Sequence, residues 1–206
     1  YGRLLPPSSL PPRVRRAMAT FQWDPGTVKV DWALDRGVPW STMPAEAPGT
    51  VHVADTAGEM TASVAQVAAG VLPASPFLLA GQMSTTDPDR SPRGTESMWA
   101  YTHVPQRVLH DADGELTGRW DHHELERFAD RMQARIEARA PGFGARILAR
   151  RVLGPRELEA RDANLVGGAI GGGTQQLHQQ LVFRPIPGLA RPETFVRGLS
   201  LASSSA

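Results

Sequence analysis

The side chains able to do chemistry gather on two alternating stretches. From Thr27 to Leu34, Val28, Val30, Trp32 and Leu34 take one face, and Thr27, Lys29, Asp31 and Ala33 take the other. An amine and a carboxylate on one strand face form an ion pair, lie in solvent, or serve a site. From Glu96 to Val104, Met98, Ala100 and Val104 oppose Trp99, Tyr101 and His103. Such an aromatic face is either core or a ligand surface. As a ligand surface it offers stacking rings and an imidazole.

A third stretch, Ala163 to Pro185, reads ANLVGGAIGGGTQQLHQQLVFRP and carries Gly167, Gly168, Gly171, Gly172 and Gly173. Glycine permits positive φ and close backbone approach. The segment is therefore an irregular structural turn or a backbone wall against a bulky ligand. It fits neither G-x-G-x-x-G nor a P-loop. Gln175, Gln176, His178, Gln179 and Gln180 follow, polar but without a strong acid or base.

Other clusters dissolve on their spacing. His122 and His123 point about 100° apart on a helix, which leaves His122 and Glu126 without a third ligand. Asp111, Asp113 and Glu115 lack the glycine position and closing Glu of a calcium loop. Gly198-Leu199-Ser200-Leu201-Ala202 has no room after it for the partners of a nucleophile elbow. No metal site is expected.

The elements that must position these residues can be read from the chain. The spacing predicts a helix from Arg13 to Phe21, strands at 27–34, 51–53, 77–83 and 96–104, and a helix from Gly58 to Val71 with Met60, Val64, Val67 and Val71 inward. Asp121 caps a helix, Glu124 completes a capping box, and Leu125, Phe128, Met132 and Ile136 form its inner stripe. A strand at 147–153 and a helix at 155–161 follow. The irregular links predict an α+β fold, a mixed or antiparallel sheet with helices packed on it.

The 206 residues are 41% apolar and 21% charged, with net charge +1 and no cysteine. That predicts a folded domain without disulfides or thiolate chemistry, and with no bulk field for nucleic acid. No apolar run approaches the roughly 18 residues of a membrane helix. Tyr1-Gly2-Arg3 is not a signal peptide and lacks an initiator Met, so either removed residues or a piece of a longer protein is expected.

Several stretches, in order, resemble the phytoene-dehydrogenase-like, carotenoid desaturase-related FAD-dependent oxidoreductases. They are Leu10-Pro11-Pro12 through Phe21, Asp24 through Leu34, Trp99 through Pro105, and Ala140-Pro141-Gly142-Phe143 with Arg146 through Arg150. Asn164 with Val166 through Gly173, and Phe183-Arg184-Pro185, complete the series. The resemblance implies a two-domain flavin amine oxidase-like fold, with 1–195 the later part of the substrate domain and 196–206 the start of a strand returning to an FAD domain. It implies a hydride moved from an apolar substrate to FAD, held by the complete protein and not by this chain, which would be inactive alone. Gly171, Gly172 and Gly173 would border the flavin. Tyr101, His103, Gly168, Gln176 and His178 would meet the substrate, with Lys29 and His103 the catalytic candidates. The implied partners are the FAD domain and a second copy at the exposed seam, not nucleic acid. The implied location is the cytoplasm or a membrane periphery. A non-enzymatic binding or interaction module derived from that domain is the alternative.

Overall fold

The computed structural model describes residues 5–204, so Tyr1-Gly2-Arg3 and the last two residues of the expected returning strand lie outside the described residues. The order is α1 (Pro12–Ala19), β1 (Gly26–Leu34), β2 (Thr50–Val53), α2 (Ala57–Ala68), β3 (Val71–Leu72), β4 (Leu78–Gln82), α3 (Met83–Thr86), β5 (Glu96–Val104), β6 (His110–Asp111), α4 (His122–Glu137), β7 (Ile147–Leu153) and α5 (Pro155–Arg161). The main sheet runs β2-β4-β5-β1-β7, every pair antiparallel. Among the described residues parallel pairing occurs only between β3 and β6, outside that sheet. The fold is α+β with an antiparallel sheet.

Alternation places the core on one face. Val28, Val30, Trp32 and Leu34 of β1 meet Met98, Ala100 and Val104 of β5, all at most 2% exposed. Across this face lies α4, burying Leu125, Phe128, Ala129, Met132 and Ile136. Phe143 closes edge-on against Trp32 at 5.5 Å.

Asp121 caps α4 by accepting the Glu124 amide at 3.0 Å. The capping box is only half formed. Glu124 turns instead to the Thr117 amide and hydroxyl and the Trp120 amide, because the preceding loop packs on it and would otherwise bury unpaired donors. Charged residues tie α4 to its neighbours: Arg131 to Asp111, Arg135 to Glu59, and Arg150 to Glu126 and Asp130.

The inner face of α2 departs from the expected one. Val67 is buried, but its inward companion is Ser63, and Val64 is 61% exposed. The helix turns this side inward because the Ser63 hydroxyl accepts the Phe77 amide and Glu59 meets Arg135. Gly70 at φ +80 ends the run, and Val71 belongs to β3. From Val196 onward the described residues hold a turn at Gly198 and a bridge between Glu193 and Ser200.

Candidate functional site: the open sheet face and the glycine segment

The face of the sheet away from α4 carries the alternate residues. One row across it reads His52, Leu79, Tyr101, Lys29 and Leu153. The next reads Gly81, Trp99, Asp31 and Arg151. Trp99, Tyr101 and His103 are half-buried and form a lane along β5. Trp99 and Tyr101 stack at 5.9 Å with 13° between planes, and Tyr101 meets His103 edge-on at 5.7 Å.

Gly81 makes the lane possible. A Cβ there would stand 2.3 Å from the Trp99 ring, so the indole lies directly on the β4 backbone. The Trp99 Nε1–H donates to Met83 Sδ at 3.1 Å, which fixes the ring's heading. Beside it a shallow groove of about 400 Å³ runs between Trp99, Met83, Asp31 and Arg151. Lys29, the chain's one lysine, donates to Asp31 on its own strand. Its charge is thereby partnered, and it stands directly opposite Tyr101 in the β1–β5 register.

The glycine segment lies elsewhere, along the chain entering β1. The Asp24 amide donates to Gly172 O at 2.8 Å, the Thr174 amide to Gln22 O at 2.9 Å, and Trp23 bridges Gly173. Gln106 Nε2 spans the two strips, donating to Asp24 O at 2.7 Å and Val166 O at 3.1 Å. Arg184, 5% exposed, donates to the carbonyls of Gln179, Gly173, Thr174 and Ser204. Close approach explains Gly168, at φ +78, where a Cβ would fall 2.6 Å from Pro155 Cα. It explains Gly173 too, where a Cβ would strike the Phe21 ring at 2.4 Å.

The expected site residues therefore divide. Lys29, Tyr101 and His103 share the open face. Gly168 and Gly173 are buried packing positions. Gly171 faces Asp24, whose Oδ2 lies 2.7 Å from where its Cβ would be. Gly172 borders a groove of about 850 Å³ with Met18, Phe21, Trp23, Ile170 and Leu199. Gln176 and His178 are exposed, and His178 Nε2 pairs with Gln22 Oε1 at 2.9 Å, away from the lane.

Asp24, which the sequence shows only as the first residue of a Asp-Pro-Gly turn, links the two regions. Burial pushes its carboxyl pKa up. The His103 charge, the Gln175 amide and Arg184 pull the other way. Asp111 is committed elsewhere: it accepts both Arg131 nitrogens and the amides of Glu115 and Leu116. Among the described residues no group of three His, Asp or Glu could hold a metal ion, and no helix is long and apolar enough to cross a membrane.

No protein-family profile matches the chain. It is 35% identical over 123 residues to the rat (Rattus norvegicus) pyridine nucleotide-disulfide oxidoreductase domain-containing protein 2. It is 36% identical over 123 residues to the mouse (Mus musculus) protein of the same name. Each match covers 60% of this chain and 20% of the relative, so the chain spans about a fifth of the length of these curated relatives. A crystal structure of an oxidoreductase from Methanosarcina mazei superposes with a TM-score of 0.45 at 11% identity, covering 100% of this chain and 34% of that one. The curated proteins that this chain is similar to are thus named for an oxidoreductase domain, and their name carries no phytoene-dehydrogenase term.

Proposed function

We propose that this chain is the substrate-facing part of a flavin-dependent oxidoreductase of the phytoene-dehydrogenase-like kind its sequence resembles. The observation that carries the reading is the β5 lane. The sheet completes its core against α4, yet its other face presents Trp99, Tyr101 and His103 as a continuous ring surface, with Trp99 seated on Gly81. A structural role would be served by any small polar residues there. Stacked rings instead suit an apolar, flat or conjugated ligand. The oxidoreductase names of the rat and mouse relatives support the same reading.

A flavin, when bound, supplies hydride acceptance. The described residues do not fit its diphosphate. That group needs amides converging at a helix N-terminus, whereas the amides of Gly167, Gly168 and Gly172 are spent on Glu159, Leu165 and Ala169, and the segment leads into a three-residue 3-10 turn. On this reading the diphosphate is held elsewhere in the complete protein, and this chain alone would be inert. Its own residues bind and orient. Trp99 and Tyr101 supply the stacking surface, and His103 a polar contact at the lane's end.

Titrating the chain with apolar conjugated ligands tests the lane directly. Wild type is expected to show quenched tryptophan emission that Trp99→Phe abolishes. Quenching that persists in Trp99→Phe, or that Gly81→Ala leaves untouched, would move the ligand surface elsewhere. Binding by the lane without flavin in the complete gene product would favour the non-enzymatic module.

A further inference from the structure

Two polar atoms at the end of the lane are buried without a hydrogen-bond partner: Nδ1 of His103 and Oγ1 of Thr27. They belong together, because Thr27 and His103 stand directly opposite in the β1–β5 register. Facing residues in such a pair hold their Cβ atoms about 5 Å apart. Thr27 is 1% exposed and is closed over by Gly168, whose Cβ would lie 3.3 Å from the Thr27 amide. His103 is half-buried; Nδ1 is its buried, unpartnered nitrogen, Nε2 is not among the buried unpartnered atoms, and the ring meets Tyr101 edge-on. An unmade hydrogen bond at a buried group costs about 1–3 kcal/mol. Two such atoms facing each other have a common remedy.

We propose that Thr27 is the positioning residue of His103: its hydroxyl accepts the Nδ1 proton, directly or through one water, and leaves Nε2 as the bare, accepting nitrogen on the open face. A hydroxyl has two acceptor lone pairs and a single proton to give. Asp24, three residues before Thr27 and in electrostatic contact with His103, places negative charge at this end of β1. That charge favours a ring N–H over a lone pair there. The other charged group at this end, Arg184, is committed to backbone carbonyls.

The consequence is a substrate class, and it rests on the oxidoreductase reading. A bare Nε2 accepts a hydrogen bond. A ligand lying on Trp99 and Tyr101 must then present a donor, an O–H or N–H, at His103. The ligand is an apolar, conjugated body ending in an alcohol or amine rather than a pure hydrocarbon. A hydrocarbon would leave Nε2 unpaired on binding.

Nitrogen NMR of the histidine rings tests this in the chain itself, with the His103→Gln spectrum assigning the signal among the six histidines. The expected state of the neutral His103 ring is Nδ1–H with Nε2 unprotonated. Thr27→Val, which keeps shape and removes the hydroxyl, should switch the ring to Nε2–H, and Thr27→Ser should restore it. An Nε2–H ring in wild type overturns the proposal, whether or not Thr27→Val folds. A ring that Thr27→Val leaves unchanged overturns it equally. The measurement needs no flavin, so failure of the oxidoreductase reading would leave the tautomer standing, and the reverse.

Discussion

Glu124 is 4% exposed and both its oxygens are engaged, by the Thr117 amide at 2.8 Å, the Thr117 hydroxyl at 2.6 Å and the Trp120 amide at 3.0 Å. Burial alone would raise its pKa, but these donors together hold it below the ordinary value of 4.5. A depressed carboxylate contributes stability above its unfolded pKa and loses it as pH falls through the folded one. Glu124→Gln puts an amide nitrogen among donors and should cost about 1–3 kcal/mol in urea unfolding at neutral pH. That cost should shrink in acid.

Asp24 has the opposite sign. Burial raises its pKa from 3.8, so the folded state holds its proton more tightly than the unfolded one does. Stability then falls as pH rises from about 3.8 through the folded value, and the penalty stays in full above it. Asp24→Asn should raise the thermal midpoint at neutral pH and leave it unchanged below the unfolded pKa. A lower neutral midpoint would mean that the carboxylate's contacts outweigh its burial. The ring positions at Trp99, Tyr101 and His103 were legible because strand alternation is rigid. Asp24 was not, since a Asp-Pro-Gly turn accounts for its type without reference to anything across the fold.

At the scale of elements, β1, β5, β7 and α5 could be read almost to the residue, because alternation, proline and flanking glycine all point one way. In α2 the apolar stripe misled. The acceptors Ser63 and Glu59, needed by Phe77 and Arg135, turned the helix about its axis. No local pattern reports such a distant demand. The glycine segment was recognised as special but not for what it does. Its register against residues 22–27 depends on Arg184, whose guanidinium gathers carbonyls from four residues. Arg184→Met should cost about 3 kcal/mol, since hydrogen bonds to a charged group are worth about 1.5–3 kcal/mol each and are not additive. Amide exchange should rise first in 171–180, ahead of the sheet. Gly172 sits at φ +72, so a bulky residue there strains the chain's own folding as well as the groove it borders. Damage confined to a complete enzyme is therefore not expected of that substitution.

For the whole molecule, the exposed apolar side chains concentrate late in the chain. Leu177, Leu181 and Val182 stand 82%, 79% and 64% exposed, on turns whose ends Gln179 and Arg184 pin to the Gln22 and Gly173 backbone. A rigid apolar edge of this kind is what a covering domain would use. The chain should self-associate at high concentration in light scattering, and Leu177→Glu with Val182→Glu should return it to monomer. Persistent association in the double variant would locate the contact elsewhere. Under the proposed function, that edge, the ring lane and the groove at Gly172 would form one substrate wall, meeting a redox partner at the glycine segment.

The most direct test of that account is the flavin content of the polypeptide encoded by the complete reading frame, compared with these 206 residues. The account predicts about one flavin per longer polypeptide, bleached anaerobically by an apolar conjugated alcohol or amine, and no flavin on this chain. A complete product purified and refolded without flavin, or a flavin held by this chain alone, would contradict it.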